Sequence, residues 1–143
     1  LILNHRIKQG VEIIKNYADL PLVNCSPAQL NQVFLAVLTN AVESLSRADN
    51  GEQPPQISIR TRMTEQGQVS ICIQDNGPGV DDKYRTKIFD HFFTTKPVGE
   101  GAGLGLAIAR QIVEDNHGGT LTLEANQTQG AAFVIQLPVS SQL

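Results

Sequence analysis

Gly99, Gly101, Gly103 and Gly105 occupy every second position of the stretch GEGAGLG, immediately ahead of a run that has the spacing of a helix. Backbone N–H groups without side chains around them can approach a ligand closely, and the following helix adds the positive end of its dipole, so a phosphate is the first ligand to consider. The commoner phosphate motifs do not fit. A P-loop requires a glycine followed by Lys and then Ser or Thr, and no glycine here precedes Lys. A dinucleotide fingerprint fails because Leu106 stands where the third glycine after Gly101 and Gly103 would be. The catalytic HRD and DFG segments of a protein kinase are absent from the sequence.

Three further groups have types suited to nucleotide chemistry. Asn40 lies on the polar side of a helical pattern, Asp75 heads the run Asp-Asn-Gly-Pro-Gly, and Lys96 precedes the glycines as a point charge. Each has a plain structural alternative: a solvent-facing Asn, a turn, a solvated Lys. The bulk composition makes any phosphate site local. A formal charge of -3 with 11 scattered Lys and Arg residues leaves no basic surface for nucleic acid. Cys25 and Cys72 have neither metal-site nor disulfide-framework spacing and suit a reducing, cytoplasmic setting. No apolar run has the ~20 residues that a spanning helix needs. The start at Leu1 without Met gives the expectation of a piece of a longer protein, whose parent is either soluble or membrane-anchored.

These groups need elements to hold them. With 41% apolar residues in 143, the chain can bury one core. Ser26-Pro27 reads as a cap followed by the favoured first-turn proline, and Leu30, Val33, Phe34, Val37, Leu38, Ala41 and Leu45 continue a helix to about Ala48. Alternating Ile57, Ile59, Thr61 and Val69, Ile71, Ile73 make a hairpin turning at Glu65-Gln66-Gly67. A second helix is expected from about Leu104 to Asn116, ending at Gly118-Gly119, with strands over Thr120 to Glu124 and Ala132 to Leu137. Val11 to Ile14 and Leu22 to Asn24 read as short strands. The expected fold is α/β in the α+β sense: a two-layer sandwich with about three helices on one face of a mixed, mostly antiparallel sheet.

Four segments in this order, NQVFLAVLTNAVESL (31–45), DNGPGV (75–80), IFDHFFTTKP (88–97) and GAGLGLAI (101–108), resemble the N box, first glycine box, F box and second glycine box of sensor histidine kinases. That family shares an ATPase superfamily with DNA gyrase and the heat-shock chaperone, and HGGTLTLEA with GAAFVIQLP (117–138) resembles its closing hairpin. The resemblance implies a Bergerat-type ATP-binding fold over residues 11–143, with 1–10 as the end of an upstream dimerisation region or a linker. It also implies ATP and Mg²⁺ as cofactors and Asn40 as the Mg²⁺ ligand, a role a neutral carboxamide suits because Mg²⁺ keeps most of its waters. By the same resemblance Asp75 accepts from the exocyclic amine of adenine while Gly77 and Gly79 let the backbone pass close to the base. Lys96 meets the terminal phosphates, the loop from about Asp90 to Ala102 is an ATP lid, and Gly101, Ala102, Gly103, Leu104, Gly105 and Leu106 are nucleotide-binding positions. Glu43 falls among the nucleotide-facing positions. Phe89, Phe92 and Phe93 are expected to pack the lid on the core.

What the resemblance implies for activity is transfer of the γ-phosphoryl group to a histidine on a separate dimerisation domain, with a response regulator downstream. His5, His91 and His117 lack the acceptor motif; His117, before Gly-Gly, reads as a helix-end cap. The fragment is expected to be a monomer and its parent a homodimer. The sequence departs from the pattern at Ala36, where the family has Asn and its hydrolysing cousins a catalytic Glu, at Glu43, where relatives carry Lys or another polar residue, and at Ala102 and Ala131, where relatives carry Thr. Two other readings therefore stay open: a degenerate nucleotide-sensing module without transfer, and an anti-sigma-type serine kinase of the same fold.

Overall fold

The computed structural model describes residues 10–47, 54–85, 87–90, 105–124 and 130–139. Strand β1 (Glu12–Asn16) is followed by helix α1 (Pro27–Arg47), the hairpin β2 (Gln56–Met63) and β3 (Gln68–Asp75), a single 3-10 turn at Asp82–Tyr84, helix α2 (Gly105–Gln111), and strands β4 (Thr120–Leu123) and β5 (Ala132–Pro138). The five strands lie in the order β1-β2-β3-β5-β4. Only β1 against β2 is parallel; the other pairs are antiparallel.

Local chemistry sets the element ends. Ser26 caps α1, its Oγ accepting from the Gln29 N–H at 3.4 Å and its carbonyl from Leu30 N–H at 3.0 Å, with Pro27 in the first turn where no N–H partner is missed. The β2–β3 turn closes on Thr64, whose carbonyl accepts from Gly67 and whose Oγ1 accepts from Gln68, and Gly67 takes φ 79°. Period-two alternation then sends Ile57, Ile59, Ile71 and Ile73 to one face, in register with Phe133 and Ile135 of β5 and Leu121 of β4. Val33 and Val37 of α1, with Val113 beyond α2, close the other side, and all three are fully buried. Removing a side chain such as Phe133 from this layer would cost about 3–5 kcal/mol. Arg60, Arg62, Thr120 and Thr122 line the opposite, exposed face of the sheet, so the sandwich has two layers.

Three expectations need correction. Leu22 to Asn24 is not a strand: the chain from Tyr17 to Cys25 has no regular structure and Leu22 is almost fully exposed. The first strand sits at Glu12–Asn16 rather than Val11 to Ile14, because its register is set by pairing with β2, Ile13 opposite Ile57. The second helix is not one α-helix: after Gln111 it widens into a π-turn over Ile112–Asn116 before Gly118 reverses at φ 66°. Gly119 follows because a Cβ there would lie 2.0 Å from the Gln136 carbonyl oxygen of β5. The described helices are thus α1, α2 with its π-turn, and the one short 3-10 turn.

Candidate functional site

The site is built along one face of α1. Residues four apart share a helix face, and Ala36, Asn40 and Ser44 are such a row, each step about 6 Å along the axis. At one end, a Cβ on Gly105 would lie 3.7 Å from the Cβ of Ala36, so the first residue of α2 meets α1 there. At the other, a Cβ on Gly77 would lie 2.8 Å from Ser44 Oγ and 3.0 Å from Asp75 Oδ1. Asn40, half-buried, is therefore one turn from the end of the glycine-rich segment and one turn from the carboxylate. Glu43 is also half-buried on α1.

Asp75 ends β3 and is 2% exposed. Its Oδ1 accepts from the Gly77 N–H at 2.9 Å, and its Oδ2 is buried with no hydrogen-bond partner among the described residues. Burial raises the carboxyl above its ordinary value of 3.8, opposed in part by the backbone of Gly77 and of Ala131. A buried acceptor left unpaired costs about 1–3 kcal/mol. Hydrogen bonds tie the backbone on either side of Asp75 to its neighbours. Asp75 N–H donates to the Ala131 carbonyl at 3.0 Å, and Asn76 bridges back to β2, accepting from Gln56 N–H at 2.8 Å and donating to the Pro54 carbonyl at 2.9 Å.

Gly79 takes φ 81°, and a Cβ on it would lie 3.0 Å from the Gly130 carbonyl. Gly130, at φ 76°, packs so closely on Asp75 that a Cβ would lie 1.8 Å from the Asp75 carbonyl oxygen. The sequence reading did not single out Gly130, Ser44 or Asn76. Position before the last strand was the one signal for Gly130; what it touches lies 55 residues away in the chain. Gly105 is exposed, while Leu106 is half-buried against the core. Lys96, Gly101, Ala102, Gly103 and Leu104 lie outside the described residues, as do Phe92 and Phe93. Phe89 is anchored: its ring meets Phe133 edge-on at 6.0 Å, and the Arg110 guanidinium lies 4.8 Å from its centroid while pairing with Glu114 at 3.0 Å.

The donors present suit a nucleotide. Asp75 Oδ2 calls for a donor in a dry wall, which an exocyclic amine supplies, and the glycines leave the backbone bare on either side of it. Among the described residues no three His, Cys, Asp or Glu side chains gather to hold a metal.

The chain belongs to the histidine kinase-, DNA gyrase B-, and HSP90-like ATPase family, which matches residues 25–141. Within it, the chain is a domain of the histidine-kinase catalytic type. It is 39% identical over 117 residues to the two-component sensor PprA of Pseudomonas aeruginosa, across 79% of this chain and 12% of that protein. To the signal transduction histidine-protein kinase AtoS of Escherichia coli it is 37% identical over 124 residues, across 87% of this chain and 19% of that one. The chain thus spans less than a quarter of either relative. Its fold superposes on the catalytic domain of histidine kinase ThkA with a TM-score of 0.80 at 27% identity, covering 97% of this chain and 86% of that one. It also matches ThkA in complex with the response regulator protein TrrA, at a TM-score of 0.76 and 26% identity over 96% of this chain and 37% of that one. Among the described residues no helix is long and apolar enough to cross a membrane.

Proposed function

We propose that this domain binds ATP with Mg²⁺ and donates the γ-phosphoryl group to a histidine on a separate dimerisation domain, in a cytoplasmic two-component signalling protein. The observation that carries the reading is the buried, unpartnered Asp75 Oδ2, set two turns from Gly105 along the helix face that bears Asn40. In this reading Asp75 accepts from the adenine amine and Gly77 and Gly79 line the base. Ser44 stands against Gly77 at the base end. Asn40 holds Mg²⁺ against the phosphates, Lys96 meets the terminal phosphates, and the segment from Gly101 to Leu106 closes over them with Glu43 nearby. Residues 11–143 form the catalytic unit, and 1–10 lead to the dimerisation region.

Transfer forms a bond from an acceptor imidazole nitrogen to the γ-phosphorus as the bond to the β,γ-bridging oxygen breaks, and ADP leaves. Such transfers depend mainly on positioning and charge stabilisation. Ala36 supplies no group to orient a water, so hydrolysis is slow while transfer to an acceptor that brings its own neighbouring base proceeds. The resemblance to ThkA bound to TrrA supports a response regulator as the next acceptor. The domain itself is a monomer, and the parent is a homodimer through the dimerisation region. The test is a transfer assay with γ-labelled ATP and a cognate acceptor domain. An acid-labile phosphoprotein is expected; an acid-stable one would point to a serine kinase, and no product despite ATP binding would leave a nucleotide-sensing module.

A further inference from the structure

His117 makes a contact that the site described above does not use. It ends the π-turn at φ −125° and ψ −3°, and its ring lies between two helix ends. Nε2 is 3.0 Å from the backbone nitrogen of Ser26, 91 residues away in the chain. Since that N–H only donates, Nε2 is the acceptor. Nδ1 is 2.9 Å from the Ile112 carbonyl oxygen, which only accepts, so Nδ1 carries the hydrogen. One neutral tautomer satisfies both bonds. The other tautomer satisfies neither, and the imidazolium keeps only the bond to Ile112.

The residues at the two ends matter. Ser26 caps α1, the helix that presents Asn40, and His117 closes the segment that begins at Gly105. Moving from Ala36 back to Ser26 along α1 corresponds to moving from Gly105 forward to His117, so the two helical segments run antiparallel and meet at both ends. At the Gly105 end a Cβ would meet only the Cβ of Ala36, at ordinary contact distance, and an apolar contact of that kind has no directional preference. At the far end one directional hydrogen bond, Ser26 N–H to His117 Nε2, crosses between the segments, and the bond from Nδ1 to the Ile112 carbonyl fixes the ring on its own segment.

We propose that His117 is a positioning residue for the nucleotide site: by fixing the register and rotation of the α2 segment on α1, it sets where Gly105 stands against Ala36, one turn from Asn40. The inference rests on the nucleotide reading above. The test uses the 143-residue chain, its His117→Ala and His117→Gln variants, ATP titration by calorimetry, and nitrogen-15 spectra of the imidazole. Wild type is expected to show the Nδ1–H tautomer. His117→Ala should bind ATP about tenfold more weakly, the scale of one or two net hydrogen bonds, while still unfolding cooperatively. His117→Gln, whose side-chain oxygen reaches Ser26, should recover most of the affinity.

Binding unchanged in His117→Ala overturns the positioning role and leaves the nucleotide reading intact. An Nε2–H tautomer in wild type overturns it independently of whether the Ala variant folds. Weakening that follows lost stability equally in both variants reduces His117 to a structural cap, which also overturns it. Failure of wild type to bind ATP overturns the nucleotide reading and the proposal with it.

Discussion

Asp75 carries a local conflict: it is 2% exposed and one of its carboxylate oxygens has no hydrogen-bond partner among the described residues. Burial raises its folded pKa above the ordinary 3.8, so the folded state binds the proton more tightly than the unfolded one. The sign follows: its contribution to stability is full below the unfolded value and is lost as pH rises through the folded value. Asp75→Asn should therefore melt higher than wild type at neutral pH without nucleotide, with the gap closing as pH falls toward 3.8, a comparison that thermal unfolding at several pH values checks. Gly130 guards the same residue. Gly130→Ala combines a left-handed backbone with a Cβ 1.8 Å from the Asp75 carbonyl oxygen, and should cost about 2–4 kcal/mol in denaturant titration. Only part of this was readable in advance. The DNGPG motif pointed to Asp75, but the closeness of Gly130 depends on two segments meeting across the sheet end.

At the scale of elements, α1 was the most legible, because Ser26-Pro27 and a regular apolar stripe specify both its start and its buried face. Hairpin and closing strands were legible for the same reason, with alternation matching the register found. The π-turn after Gln111 was not, since an inserted residue in a helix has no composition of its own and is chosen by packing. Leu22 to Asn24 misled because a short apolar run says nothing about whether a strand partner exists. Two glycines at element ends separate packing from ligand use. Gly119→Ala would drive a Cβ to 2.0 Å from the Gln136 carbonyl oxygen, and should lower stability by about 2–3 kcal/mol in the same titration. Gly105→Ala meets only ordinary contact, 3.7 Å from Ala36, so its stability should hold to within about 1 kcal/mol. Loss of ATP affinity by Gly105→Ala without loss of stability would mark that position as kept bare for the ligand; retained affinity would mark it as a plain helix start.

As a whole, the molecule sets one layer of helices on an otherwise antiparallel sheet with a parallel edge strand, and it places Asp75 and Gly105 at opposite ends of a single helix face. The four boxes raised the expectation of such an arrangement, while the placement of Asp75 and Gly105 along α1 came only from the fold. Binding to the folded state alone should also stabilise the domain, by about 2.7 kcal/mol when ATP is at a hundred times its Kd. The central claim is that Asp75 reads the base. Calorimetric titration of wild type and Asp75→Asn with ATP and with GTP, each with and without Mg²⁺, tests it most directly. Saturable ATP binding that Mg²⁺ strengthens, GTP at least about tenfold weaker, and loss of ATP binding in the variant are expected. Equal affinity for ATP and GTP, or an Asp75→Asn variant that binds ATP as wild type does, would contradict it.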